Sequence, residues 1–311
     1  MPKRSAEKIR QMTEMAKKIY KHHFGKRPRS IEYKPAGLTN FVFEVKDSAG
    51  NFIIRVSDSE SKINQYLKEQ WVVAKVRKIG VPVAKILEVG NQVVAKPYML
   101  QEKVNGHEAT NHPERLKIVH ELGKYSKIIH SIKTSNFGDV FDWSENKMSK
   151  NASWKDYLNK ELDMAGRLAI FEKHSIFRKI NYIKLTKLLK RIEKWKIRPS
   201  LNHGDIRLKN VITTDAGKII AIIDWDNCSS NIAPFWDFSI ALHDLSIDAK
   251  QQFLLGYGIT TNEFSKMAYA IKALNLINYA PKITRLIERK EKNLLEFYRG
   301  RLNGYLDLYS L

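Results

Sequence analysis

The chain has 311 residues, of which 43% are hydrophobic and 28% charged: enough apolar material for a sizeable core and too much for a disordered or collagen-like polymer. No apolar run approaches the roughly 20 residues that span a bilayer, so no membrane span is expected. The formal net charge of +21 raises the question of nucleic acid, because clustered Lys and Arg bind phosphates. Much of that charge sits on amphipathic helices, however, and without an RNA or DNA motif a nucleic-acid partner is not expected.

The opening stretch, MPKRSAEKIRQMTEMAKKIYKHHFG, reads as an amphipathic helix with Ser5 as its N-cap and Gly25 as its stop. It has no apolar segment of the signal-peptide kind, which points to the cytoplasm. The single cysteine, Cys228, cannot form an intramolecular disulfide and fits a reducing compartment. Between Ser30 and Ser57, Phe41, Phe43 and Val45 alternate with Val42 and Glu44, and DSAGN closes a hairpin into FIIRV, so an antiparallel meander is expected. A helix follows from about Ser59 to Lys78, then two short strands around a turn at Gly90 and Asn91.

From Gly106 onward the pattern is largely helical. The expected helices are PERLKIVHELGKYSKIIHSI, SWKDYLNKELDMAGRLAIF, YIKLTKLLKRIEKWKI, NEFSKMAYAIKALNLINYA and ITRLIERKEKNLLEFYRGRLNGYLDL. In the lysine-rich one, Leu185, Leu188, Leu189, Ile192 and Trp195 form the apolar stripe. The reading is an α+β chain with a small antiparallel-sheet region over residues 1–103 and a larger, mainly helical region over 104–311, joined near Gln101 to Gly106 with a cleft between them.

One β-like interruption breaks the helical half, LNHGDIRLKNVITTDAGKIIAIIDWD at 201–226. NVITT and KIIAIID are strands joined by the DAG turn, which draws Asp205, Asn210 and Asp224 together. Two carboxylates and an amide oxygen suit a hard cation such as Mg²⁺ better than zinc. Taken singly, each of the three also serves as an ordinary turn or strand-end residue. Their order matches what phosphoryl transfer needs: an aspartate for the hydroxyl proton, an asparagine for metal, and a second aspartate to bridge metal and phosphates.

HGDIRLKN followed by IIDWDN resembles the catalytic and metal loops of the aminoglycoside phosphotransferase and choline kinase family. GLTNFVFEV, KEQWVVAKVRKIGVPV, GKYSKIIHSIKTSNFGD and APFWDFSIAL are similar to further segments of that family in the same order, over about residues 25 to 260. The resemblance implies a two-lobed protein-kinase-like fold and an Mg²⁺-dependent phosphotransferase using ATP or GTP. It makes Asp205 the catalytic base and Asn210 and Asp224 the metal ligands. His203 and Arg207 would brace the loop, and Asp237 would hold it from behind.

The resemblance places the nucleotide against Gly37, Leu38, Thr39 and Asn40, a loop with one glycine, and against Arg55 where protein kinases keep a lysine. Arginine stays charged and grips phosphate oxygens in a bidentate way. Glu69 is its expected partner, and the backbone of Leu100, Gln101 and Glu102 is expected at the purine edge. The acceptor is expected to be the hydroxyl of a small molecule, aminoglycoside-like antibiotics first, with antibiotic resistance as the setting. Asp226, Asp244, Asp248 and Glu263 are candidates for an acidic acceptor pocket. Two alternatives stay open: a kinase of a protein or nucleic-acid-associated target, and a non-catalytic kinase-like nucleotide-binding module. Nothing in the sequence bears on oligomeric state.

Overall fold

The computed structural model describes residues 4–35, 40–139, 151–243 and 245–307. In chain order, α1 (Ala6–Phe24) is followed by β1 (Ser30–Lys34), β2 (Phe41–Asp47), β3 (Gly50–Val56), α2 (Lys62–Lys78), β4 (Ile86–Gly90), β5 (Tyr98–Glu102) and β6 (His107–Glu108). Next come α3 (Arg115–His130), the single turn α4 (Trp154–Asp156), α5 (Met164–Lys173), α6 (Lys179–Glu193), β7 (Ser200–Asn202), β8 (Val211–Thr213), β9 (Ile219–Ile222) and β10 (Ser229–Asn231). The chain closes with α7 (Phe235–Ala241), α8 (Ile247–Tyr257), α9 (Thr261–Asn278), α10 (Ala280–Glu288) and α11 (Lys292–Asp307). Among the described residues no helix is long and apolar enough to cross a membrane.

Two compact units emerge, one of Met1–His112 with Lys209–Asp226, the other of Pro113–Leu208 with Asn227–Leu311. In the first, an antiparallel sheet runs in the order β1-β2-β3-β5-β4. Phe43, Val45, Ile54 and Val56 alternate onto the face that α1 covers with Met12, Ala16, Ile19 and Tyr20, as a period of two requires. The cap residues of α1 follow the sequence: Ser5 accepts the N–H of Lys8, and Gly25 turns left-handed at φ 72°. The hairpin β8–β9 belongs to this unit, with β6 as its third strand and the N–H of Ile222 donating to the carbonyl of Pro82.

The second unit is helical around the short β7–β10 pair. Its core joins Trp154, Phe171, Leu185, Leu189, Ile192, Leu274, Ile277 and Ile283. The glycines of GYGITT, residues 256–261, serve packing and a helix end. A Cβ at Gly256 would collide with the carbonyl oxygen of His120, and one at Gly123 with that of Phe253, so the two glycines let α3 and α8 touch backbone to backbone. Gly258 ends α8 in the left-handed conformation at φ 80°, the usual service of glycine just past a helix.

Several expected elements are divided. Beyond Gly90 the chain takes no strand until Tyr98: Ala95 is left-handed at φ 50°, outside the extended range, and Pro97 has no N–H to offer a ladder. The helix expected over 153–171 is broken at Asp163, whose backbone is left-handed at φ 53° and whose side chain caps the N–H of Gly166. The last helix is interrupted at Lys290, φ 56°. In the lysine-rich stripe Leu185, Leu189 and Ile192 are fully buried. Leu188 and Trp195 are partly buried against the same core, Trp195, past the end of α6, with its ring centroid 4.7 Å from that of Phe235.

Gly256→Ala should cost about 1–3 kcal/mol of stability, the usual penalty of overpacking a close contact. Urea unfolding followed by circular dichroism measures it, and an unchanged midpoint would contradict the backbone contact.

Candidate active site

A pocket of about 360 Å³ in the first unit is walled by Arg55, Glu69, Gln101, Asn210 and Asp224, with Val42, Val73 and Ala84 among its apolar lining. Strand alternation explains the choice. Ile54 and Val56 face α1, so Arg55 points to the opposite side of the sheet, where its register partner Met99 and the next residue on that face, Gln101, also stand. The hairpin supplies the rest. The N–H of Ile223 donates to the carbonyl of Asn210 at 2.9 Å, which sets Asn210 beside Asp224. Asp224 adopts a left-handed backbone at φ 65°, a conformation that costs a non-glycine residue roughly 1–2 kcal/mol. Trp225 follows it into the interior, its indole N–H donating to the Ile222 carbonyl at 3.0 Å.

Around Arg55 the charges are dense. Its guanidinium donates to Glu69 at 2.5 Å and to Gln101 at 3.3 Å, and it stands 3.4 Å from the Asp226 carboxylate. The other oxygen of Asp226 meets the ammonium of Lys62 at 3.0 Å, while Lys68 donates to the Asp226 carbonyl at 3.1 Å. Glu69 and Lys68 each expose 2% of their surface. Burial pushes the Glu69 carboxyl up to about 8, with Arg55 pulling against it and Asp226 adding to it. Burial also opposes charge on Asp226, but the hydrogen bond with Glu69, then Arg55 and Lys62, outweigh it and hold that carboxyl far below the ordinary range. Of the two neighbours, Asp226 is therefore the ionised one.

In the second unit the loop after β7 is built on Asp237, which has no exposed surface. Its carboxylate accepts the backbone N–H of His203 at 2.8 Å, that of Gly204 at 2.8 Å and Nε2 of His130 at 2.9 Å. A carboxylate only accepts, so Nε2 of His130 donates to it, and Nδ1 of the same ring lies 3.0 Å from the Tyr257 hydroxyl. Burial works against the Asp237 charge, but His130, His203 and the Gly204 N–H hold its carboxyl below the usual aspartate range. Nδ1 of the fully buried His203 accepts the N–H of Asp205 at 3.2 Å. Gly204 sits at φ 78°, where a Cβ would also strike the Asn227 carbonyl, so no other residue fits this turn. The Asp205 carboxylate meets Nε of Arg207 at 2.9 Å.

A family profile described as the phosphotransferase enzyme family matches residues 30–269. The chain belongs to that family. No curated protein matches it in sequence. Solved structures share its protein-kinase-like fold. The aminoglycoside phosphotransferase APH(4)-Ia is 15% identical at a TM-score of 0.70, with 95% of this chain and 98% of that one covered. A thermostable mutant of the same protein, in a ternary complex with AMP-PNP and hygromycin B, is 15% identical at 0.68, with 94% and 97% covered. The GDP and kanamycin complex of APH(2")-IIIa is 12% identical at 0.67, with 94% and 97% covered.

In this phosphotransferase, Arg55, Glu69, Gln101, Asn210 and Asp224 share one pocket wall, and Asp205, His203, Arg207 and Asp237 belong to the second unit. Gly37, Leu38, Thr39 and Asp244 lie outside the described residues. Asn40 is buried, and its carbonyl accepts the Arg4 guanidinium at 2.8 Å. Leu100 is fully buried; β5, which carries it with Gln101 and Glu102, pairs with β3 on one side and β4 on the other. The four carboxylates expected at an acceptor pocket are otherwise engaged where described. Asp226 is in the ion cluster, Asp248 is exposed in the first turn of α8, and Glu263 completes a capping box with Thr260. Asp248 and Glu263 thus serve helix starts. Lys62 and Lys68 escaped the sequence reading, as did the bond of the core residue His130 to Asp237, since these residues meet their partners across long stretches of chain and no local motif marks the pairings.

Asp237→Asn should cost about 3 kcal/mol or more at neutral pH, because two backbone donors and His130 lose a charged acceptor. A depressed carboxyl contributes its stability above the unfolded aspartate pKa of about 3.9 and loses it as pH falls through the lower folded value. The gap between wild type and variant in thermal unfolding should therefore narrow below about pH 4; a constant gap would contradict the assignment. Asp224→Gly should unfold no earlier than the wild type, since glycine adopts φ 65° without strain. An earlier transition would place Asp224 in the structural framework.

Proposed function

We propose that this phosphotransferase moves the γ-phosphoryl group of ATP or GTP to the hydroxyl of a small molecule, aminoglycoside-like antibiotics being the first class to try. The reading is carried by the pocket wall that combines the Arg55–Glu69 pair with Asn210 and Asp224. Arg55 would grip nucleotide phosphates; because the backbone of Gln101 and Glu102 is taken up by sheet pairing, the purine edge would fall to the backbone after β5. The donor set suits Mg²⁺. One carboxylate and one amide oxygen, completed by phosphate oxygens and water, are what that ion accepts, and among the described residues no three His, Cys, Asp or Glu side chains gather into a self-sufficient metal cage. The ion, when bound, would neutralise charge on the transferring phosphoryl group.

Asp205 would orient the acceptor hydroxyl and take its proton as the oxygen bonds to phosphorus and the nucleoside diphosphate leaves. Arg207 would hold its carboxylate, and His203 its backbone. His203 is poorly placed to act as the base itself: its Nδ1 already accepts the Asp205 N–H, and the ring is fully buried. Because three of the four acidic acceptor candidates are engaged elsewhere or sit at helix starts, neutral hydroxyl compounds belong in the test beside polycationic ones.

The test is Mg-dependent release of ADP or GDP across aminoglycosides, choline, ethanolamine, amino acids and sugars. Stimulation by one compound is expected, and Asp205→Asn should lower turnover by about 10² or more while leaving Mg-nucleotide affinity nearly unchanged, given that a general base contributes roughly 10²–10⁴. Full activity in that variant would refute the assignment. Tight nucleotide binding with no stimulation by any compound would shift the acceptor to a macromolecule.

A further inference from the structure

Asp226 is bonded unlike a residue waiting for an acceptor. It lies two positions after Asp224, and its carboxylate and carbonyl face cations of the first unit. One carboxylate oxygen faces Arg55 at 3.4 Å, the other faces Lys62 at 3.0 Å, and its carbonyl takes Lys68 at 3.1 Å. Arg55 comes from β3, and Lys62 and Lys68 come from the first and second turns of α2. Tyr66, fully buried between them, presents its ring to both cations, 5.4 Å from Arg55 and 5.8 Å from Lys62. Two elements, β3 and α2, thus converge on a residue whose near neighbour holds a left-handed backbone that costs energy to maintain.

We infer that Asp226 and Lys62 form a clamp that positions Asp224 and Arg55 for the metal–nucleotide complex, a role resting on the nucleotide-binding reading above. The physical reason is geometric. Asp224 is exposed, and the chain that leaves it passes through the buried Trp225 to Asp226, whose carboxylate and carbonyl are pinned to α2. The same carboxylate shares Arg55 with Glu69, which keeps the guanidinium from collapsing onto a single partner and leaves it oriented along the pocket wall. Asp226 and Lys62 are positioning residues: they act on nucleotide through Asp224 and Arg55.

The experiment measures ADP and GDP affinity of the full chain by titration calorimetry, in Mg²⁺ and in EDTA, for wild type, Asp226→Asn, Lys62→Met and the double variant. The readout is the ratio of the two dissociation constants, the gain in affinity that metal confers. Loss of the clamp should lower this ratio on the order of tenfold in Asp226→Asn, the worth of one lost charge-assisted hydrogen bond. Lys62→Met should lower it in the same direction, and the double variant should be no worse than Asp226→Asn alone, because paired residues are not additive. An unchanged ratio in either single variant, or effects that simply add, would overturn the clamp. So would a raised ratio in Lys62→Met, the outcome expected if Asp226 bound the metal directly and Lys62 merely competed for it. Should Asp226→Asn fail to fold, Lys62→Met alone decides between a lowered ratio and these contrary results. A wild-type chain that binds neither nucleotide would overturn the functional reading and the clamp's purpose with it, whereas wild-type binding with an unaltered ratio in the variants overturns the clamp only.

Discussion

A carboxylate with no exposed surface has to be met by donors, and Asp237 imposes that demand on the second unit. It takes two consecutive backbone N–H groups, those of His203 and Gly204, and the Nε2 proton of His130. Consecutive N–H groups can aim at one carboxylate only if the chain turns sharply, which accounts for the left-handed Gly204 and its close approach to Asn227. Asp205 leaves that turn with its backbone tied to His203. The orientation of the candidate base is therefore inherited from a buried residue that never needs to touch substrate.

The first unit solves a similar problem with side-chain cations. Glu69 and Asp226 are neighbours in a desolvated setting, and they coexist because their protonation diverges, burial holding the proton on Glu69 while Arg55 and Lys62 keep Asp226 ionised. Such clusters are weak arguments for stability, since desolvation consumes most of the Coulomb attraction. Their value is geometric: they fix the Arg55 guanidinium on the pocket wall it shares with Asn210 and Asp224, where binding would otherwise have to order it.

Charge over the whole molecule says less than charge at particular places. The excess of Lys and Arg is spread over helices such as α6, whose buried stripe is apolar, while the acidic residues are largely committed to caps and ion pairs. The glycines of GYGITT serve helix packing and a helix end, and the basic surface accompanies a phosphotransferase fold without a nucleic-acid motif.

What the sequence by itself determined is whatever depends on short-range rules. Ser5 and Gly25 bound α1, alternation over Phe41–Val45 and Phe52–Val56 makes strands, and HGDIRLKN with IIDWDN marks the candidate catalytic and metal loops. Local interruptions were less legible: Asp163 and Lys290 divide what reads as continuous helix, because single left-handed residues leave little trace in a hydrophobic pattern. Only the tertiary structure decided which distant partners meet. Lys62 with Asp226 and His130 with Asp237 are separated by 164 and 107 residues. No periodicity links positions that far apart; burial selects them, since a charge removed from water requires hydrogen-bond donors or a counter-charge wherever the folded chain can supply them.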